Sequence, residues 1–263
     1  MTKKPNLPFG QTKTTQKEII KNTKPKKAIK ILENQKIPNS KQKIYGLLNK
    51  LPDLLQWLQK NGRKYPWRNT TNPWKVYIAE ILLQRTKADQ VKKIYPDFIK
   101  KYPEPHTLHK AKPDEIKKQI ERLGLKNHRT RTLKSTAKII TEKHNGKVPE
   151  NIKDLKKPWR IGEYTARAVQ IFAHQKPKSL IDTNTARITK RTLNYPLPEQ
   201  PHKNKKLYQL TDALTPQKPG LSRATNLANI DLAAKICKPI NPECKKCPLK
   251  ETCTHNKNKS TIN

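Results

Sequence analysis

The sequence predicts an all-α protein. Three observations carry the prediction. Apolar residues recur at helical spacing in one stretch after another, Pro and Gly stand where such stretches begin and end, and no sustained run alternates with period two. Order is expected to begin near Leu47. Pro52 suits a first helical turn, Leu54, Leu55 and Leu58 form a stripe, and Gly62 suits the stop. Val76 to Arg85 is apolar almost all round, the mark of a buried helix. Val91, Ile94, Tyr95, Phe98 and Ile99 make a third stripe ahead of Pro103. Pro113 opens a fourth helix, with Ile116, Ile120 and Leu123 inside and Gly124 ending it. A fifth runs from about Arg129 to His144, with Leu133, Ala137 and Ile140 on one face. Helices over 162–173 and 183–193 follow. Two more, near 205–214 and 224–236, lead into four cysteines.

Composition narrows the function. The chain has 263 residues and a formal charge of +38, with 58 Lys and Arg against 20 Asp and Glu. So large a positive field predicts a polyanionic partner. Nucleic acid fits best and an anionic membrane surface second, but no apolar run is long enough to span a bilayer. No apolar leader core is visible at the N-terminus. Residues 1–45 hold twelve lysines, two glutamates and four scattered prolines. Such a segment is expected to be a disordered basic tail, because it buries too little to offset its ordering entropy.

Residues 158–191 organise the rest. Gly162 has no Cβ and can bring its backbone close to a phosphate, and the free N–H groups of the helix behind it suit an anion. Asp182 follows Leu180 and Ile181 and is expected at the edge of a low-dielectric pocket. Taken alone, the first feature is also an ordinary turn and the second an ordinary helix cap. Downstream, Cys237, Cys244, Cys247 and Cys253 follow C-x6-C-x2-C-x5-C, and no cysteine is left over. Clustered thiols in a chain expected to be cytoplasmic point to zinc or an iron–sulfur cluster rather than disulfides.

Upstream, Pro66-Trp67-Arg68 is followed by Tyr77-Ile78-Ala79-Glu80-Ile81-Leu82-Leu83-Gln84-Arg85-Thr86. In order and spacing the whole set resembles the helix-hairpin-helix base-excision DNA glycosylases that carry an iron–sulfur cluster, over roughly residues 50 to 255. These include endonuclease III, the A/G-mismatch adenine glycosylases and the archaeal G/T-mismatch thymine glycosylases. The resemblance implies a six-helix barrel with the hairpin over 71–193. It implies a smaller helical cluster domain from 46–70 and 194–263, and DNA bound in a cleft between the two. The cysteines would hold a [4Fe–4S] cluster, and Lys238, Lys245, Lys246 and Lys250 would present charge to phosphates. The partner is double-stranded DNA with a mismatched or damaged base. The protein is expected to work as a monomer at the nucleoid.

The resemblance also implies roles. Asp182 matches the catalytic aspartate, which stabilises the positive charge that grows on the sugar as the N-glycosidic bond breaks. Asn184 positions DNA or Asp182, or only caps the helix. Tyr164 stands where bifunctional members carry a lysine that forms a Schiff base with the sugar. Adenine glycosylases tend to have serine there and the archaeal thymine glycosylases have tyrosine. Glu80 matches the pocket glutamate that contacts the extruded base. Gln84 and Arg85 match positions that fill the hole left by the flipped nucleotide. Asn127 and Arg129, in the loop from Gly124, match the thymine-specific branch, and Ile161 and Gly162 form the DNA-contacting turn. Two departures stand out. Trp159 and Arg160 replace the proline and first glycine of Leu-Pro-Gly-Val-Gly, which puts the phosphate contact there in question. The chain also ends ten residues after Cys253, which weighs against adenine glycosylase activity. The expectation is a monofunctional glycosylase for thymine or uracil opposite guanine. The alternatives are an adenine glycosylase, an endonuclease III-like lyase, or a non-catalytic DNA-binding module.

Overall fold

The computed structural model describes Phe9 and residues 11–260. Among these the chain is all-α, without a strand. In chain order the helices are α1 (Gln16–Lys21), α2 (Pro25–Glu33), α3 (Ser40–Asn49), α4 (Leu51–Asn61) and α5 (Pro73–Leu83). Then come α6 (Ala88–Lys101), α7 (Pro105–Lys110), α8 (Pro113–Gln119), α9 (Lys126–His144) and α10 (Ile152–Leu155). The last are α11 (Glu163–Phe172), α12 (Thr183–Leu193), α13 (Lys205–Leu214), α14 (Pro219–Lys235) and α15 (Thr254–Ser260). Proline stands in the first turn of α2, α4, α5, α7, α8 and α14, where its missing N–H costs nothing. The short α7 and α10 had no stripe long enough to announce them.

The described residues fall into two compact units, one from 1–63 with 176–263 and one from 64–175. The second unit is built around α5. Trp74, Val76, Tyr77, Ile78, Ala79, Ile81 and Leu82 are all buried, so no face of this helix is left to water except at its ends. It packs against α11, α6 and α9. Asn72 caps it, accepting from the Lys75 N–H at 3.0 Å, and the Tyr77 hydroxyl donates to the Leu155 carbonyl at the end of α10. Helix α9 ends in two left-handed residues, Asn145 (φ 48°) and Gly146 (φ 74°), the second a place where glycine avoids strain.

The first unit is built around α14, which packs against α4 and α12. Its Asp231 is fully buried and accepts from the Arg63 backbone N–H at 2.8 Å and from Arg63 Nε at 2.7 Å. That pair joins the end of α4 to α14.

Two expectations are corrected here. The segment 1–45 was expected to be disordered, yet its residues 11–45 contain α1, α2 and the start of α3. Ile19, Ala28, Leu32 and Ile44 are buried, and α2 packs on α13. The Lys24 N–H donates to the Ala213 carbonyl at 2.8 Å, the Gln217 N–H donates to the Asn22 carbonyl at 2.6 Å, and Glu18 pairs with Lys218 at 2.9 Å. The lysines dominate the composition, but they lie on outer faces while the few apolar residues point inward. Residues 1–8 and 10 of that tail lie outside the described residues. The unit boundaries also differ from the expected 70/71 and 193/194. They fall at 63/64 and 175/176, because α12 packs with α14, α3 and α15. Asp182 therefore belongs to the same unit as the cysteines.

Candidate active-site residues and the cysteine loop

Within the second unit, Glu80 sits on the innermost helix and is 7% exposed. A carboxylate there loses its hydration. Burial pushes its carboxyl up to about 7, and the nearby Arg68 guanidinium, itself buried, pulls the other way. The result is a group that changes protonation near neutral pH, which suits an acid or base.

At the end of α5 the chain turns sharply. Gln84 caps the helix and its Nε2 lies 3.5 Å from Thr165 Oγ1. Arg85 is exposed and holds a left-handed backbone (φ 53°), an unfavourable state for a residue with a Cβ. Asn127 is exposed in the first turn of α9. Arg129 differs from expectation. It is 4% exposed, and its guanidinium donates to the Gln84 carbonyl and to Thr86 Oγ1, both at 2.7 Å, and to the Gly124 carbonyl. Burial lowers its pKa. Those hydrogen bonds lock the 84–86 turn against the 124–126 turn.

That lock exposes a residue that sequence reasoning missed. Leu125 is 49% exposed with φ 60°, one of only two large apolar side chains so exposed among the described residues. The signal was a leucine standing alone in an otherwise polar loop.

The hairpin comprises α10, the turn 156–162 and α11. Gly162 caps α11, is exposed, and a Cβ added there would meet nothing within 4 Å. Packing does not demand glycine at 162, and the space beside its Cα is open. Ile161 lies on the inner side of the turn. Its side chain is 6% exposed and its N–H donates to the Pro158 carbonyl at 3.2 Å, so it braces the turn from inside. Tyr164 follows in the first turn of α11, half-buried. Arg160 takes φ 59°, the region that a glycine would occupy freely.

Within the first unit, Asp182 is the N-cap of α12 with a full capping box. Its Oδ1 accepts from the Thr185 N–H at 2.7 Å and from Thr185 Oγ1 at 3.0 Å, and its Oδ2 accepts from Asn184 Nδ2 at 2.9 Å. The cap and the candidate catalytic carboxylate are the same group. It is held rigidly and only half-buried, and Oδ2 keeps acceptor capacity. Asn184 Oδ1 accepts from Arg187 Nη1 at 3.1 Å, and Arg187 Nε donates to the Cys237 carbonyl at 2.8 Å. One turn on, Arg191 Nη1 lies 3.3 Å from Cys237 Sγ and donates to the Lys238 carbonyl at 2.7 Å. One face of α12 thus runs from the carboxylate to the cysteine loop.

The four thiols are free. Burial pushes the Cys247 thiol up to about 11, a backbone contact from Leu249 opposes this, and Cys253, Cys237 and Cys244 add to it electrostatically. All four therefore lie within one another's electrostatic reach. Among the described residues no three Cys, His, Asp or Glu converge as tightly as one metal ion requires.

Residues 78–213 match the HhH-GPD superfamily of base excision DNA repair proteins. A thymine-DNA glycosylase of Aeropyrum pernix is 34% identical over 207 residues, spanning 78% of this chain and 93% of that protein. A thymine/uracil-DNA glycosylase of Methanothermobacter thermautotrophicus is 34% identical over 223 residues, 85% of this chain and 98% of the other. Among solved structures, a thermostable thymine-DNA glycosylase superposes with a TM-score of 0.75 at 34% identity, covering 84% of this chain and 98% of its own. A non-covalent endonuclease III–DNA complex, at 22% identity and a TM-score of 0.64 over 79% and 95%, shares the fold. With its helical architecture, its hairpin and more than half its length matched, the chain belongs to the HhH-GPD superfamily of base excision DNA repair proteins.

Proposed function

We propose that this chain is a monofunctional DNA glycosylase that hydrolyses the N-glycosidic bond of thymine or uracil opposite guanine. One observation carries the reading: tyrosine, which cannot form a Schiff base, stands at 164 in a chain 34% identical to thymine/uracil-DNA glycosylases. Asp182, preorganised by Thr185 and Asn184, stabilises the positive charge that develops on the sugar and orients the attacking water. Glu80 contacts the extruded base and supplies or holds its proton near neutral pH. Leu125 and Arg85, both exposed on left-handed backbone, enter the stack as the base leaves, offsetting a few kcal/mol of unstacking.

The four cysteines are proposed to hold a [4Fe–4S] cluster, which cross-links the loop 237–253. The donor set fits, being four thiols and no other cysteine in the chain. Anaerobically purified protein with stoichiometric zinc and no acid-labile sulfide would overturn that assignment.

The activity is tested by incubating the protein with duplexes containing G·T, G·U, A·G and oxidised pyrimidines. Abasic product is expected from the first two, with strand breaks only after alkali and no borohydride-trapped adduct. A trapped adduct without alkali would sink the monofunctional reading and point to another amine. Lys156 and Lys157 are the nearest in sequence, but they pair with Glu163 and Asp154 at 3.0 and 2.5 Å.

A further inference from the structure

The hairpin departs from the usual sequence at Trp159 and Arg160, and the structure shows what the departure builds. The Arg131 guanidinium, from α9, lies over the Trp159 ring with its Cζ 4.4 Å from the ring centre. The Arg160 guanidinium lies over the same ring at 5.1 Å, and His128 stacks on it at 5.7 Å with 25° between planes. The Trp159 backbone N–H donates to Ser135 Oγ at 3.0 Å, which pins the turn to α9. The indole is half-buried, while both arginines and His128 are exposed.

Two guanidinium charges on one indole repel each other. The ring's quadrupole offsets part of this. Carboxylates do not: among the described residues neither Arg131 nor Arg160 forms an ion pair. Glu163, on the same hairpin, is already held by Lys156 at 3.0 Å and Arg167 at 3.1 Å, and Asp154 by Lys157. Arg160 also keeps φ 59°, a state that few residues besides glycine, asparagine and aspartate adopt readily. The arrangement thus combines unneutralised charge, planar donors oriented by stacking, and backbone strain at one exposed spot. An anion with several acceptor oxygens would relieve the repulsion and use the forks.

We propose that Arg131 and Arg160, stacked on Trp159, clamp one backbone phosphodiester of duplex DNA, so that side chains make at this hairpin a contact that a glycine turn makes with amides. The clamp presupposes a duplex-binding glycosylase and adds where, and by which groups, the phosphate is held. It carries no base specificity, since phosphate contacts position a protein without reading sequence.

The test measures binding of a fully matched duplex and of one containing a tetrahydrofuran abasic analogue, across a salt series. Arg160→Asn removes the charge and puts at φ 59° a residue that tolerates the left-handed backbone, so its melting temperature should hold or rise. Its affinity should fall about tenfold for both duplexes, and the slope of log K against log salt should become shallower by about 0.9, one phosphate contact. Arg131→Ala should match it, and the double variant should lose little more, since both hold the same phosphate. Trp159→Leu should weaken binding without removing a charge. Lys138→Ala, an exposed cation elsewhere on α9, is the control. If Arg160→Asn and Arg131→Ala change affinity and slope no more than Lys138→Ala does, the clamp does not exist. Wild-type protein that binds matched duplex but releases no thymine would instead overturn the glycosylase reading, leaving the clamp test readable.

Discussion

Asp182→Asn is expected to slow base release by roughly a thousandfold while leaving mismatch binding and folding nearly intact. The substitution isolates the charge. Asn caps helices about as well as Asp, so the bond from the Thr185 N–H survives and α12 keeps its start. What disappears is the negative charge that meets the sugar cation, an interaction made mainly in the transition state. Single-turnover rates on a G·T duplex, beside the dissociation constant of an uncleavable analogue, separate the two effects. A rate within tenfold of wild type would remove Asp182 from the chemistry and leave it a cap.

Glu80→Gln should change both the activity and its pH dependence. The folded-state pKa of about 7 lies above the ordinary value of 4.5 because burial opposes the charge. A raised pKa means that stability is fully present below about pH 4.5 and is lost as pH rises through 7, by up to about 3 kcal/mol. Glutamine cannot ionise. The variant should therefore melt higher than wild type at pH 8 and about the same at pH 5. As a proton donor to the departing base, Glu80 should lose effect above pH 7. Wild-type activity should fall there, and the variant, slower by roughly a hundredfold, should show no such limb. Parallel pH profiles for the two proteins would show that Glu80 is only a buried acid.

Much of this was legible in the sequence because it rests on local signals. Helix α12 runs from Thr183 to Leu193 as its apolar spacing and its Asp182 cap foretold, and α13 likewise keeps its expected span. Pro52 and Gly62 mark the ends of α4. What local signals missed was burial. Arg129 reads as a surface cation until Gln84, Thr86 and Gly124 are seen to surround it. Ile161 reads as part of a DNA-facing turn until it is seen to point inward. The segment 11–45 reads as solvated because lysines outnumber everything else. Its order comes from a few residues, Ile19 and Leu32 among them, whose partners lie far along the chain. Composition counts residues and cannot see which of them share a face.

The same long-range docking bears on how the chain comes to be folded at all. The unit at 64–175 is one continuous stretch and can fold as soon as it leaves the ribosome. The other unit cannot. Its helices α2 and α4 are made early, but their packing partners, α13 and α14, come near the end, and the Arg63–Asp231 pair alone spans 168 residues. Closing loops of that length costs entropy before any contact repays it. The basic N-terminal helices should therefore wait, without those late partners, through most of synthesis. In that interval mutual repulsion among their lysines should keep early segments from sticking to one another until the late helices arrive.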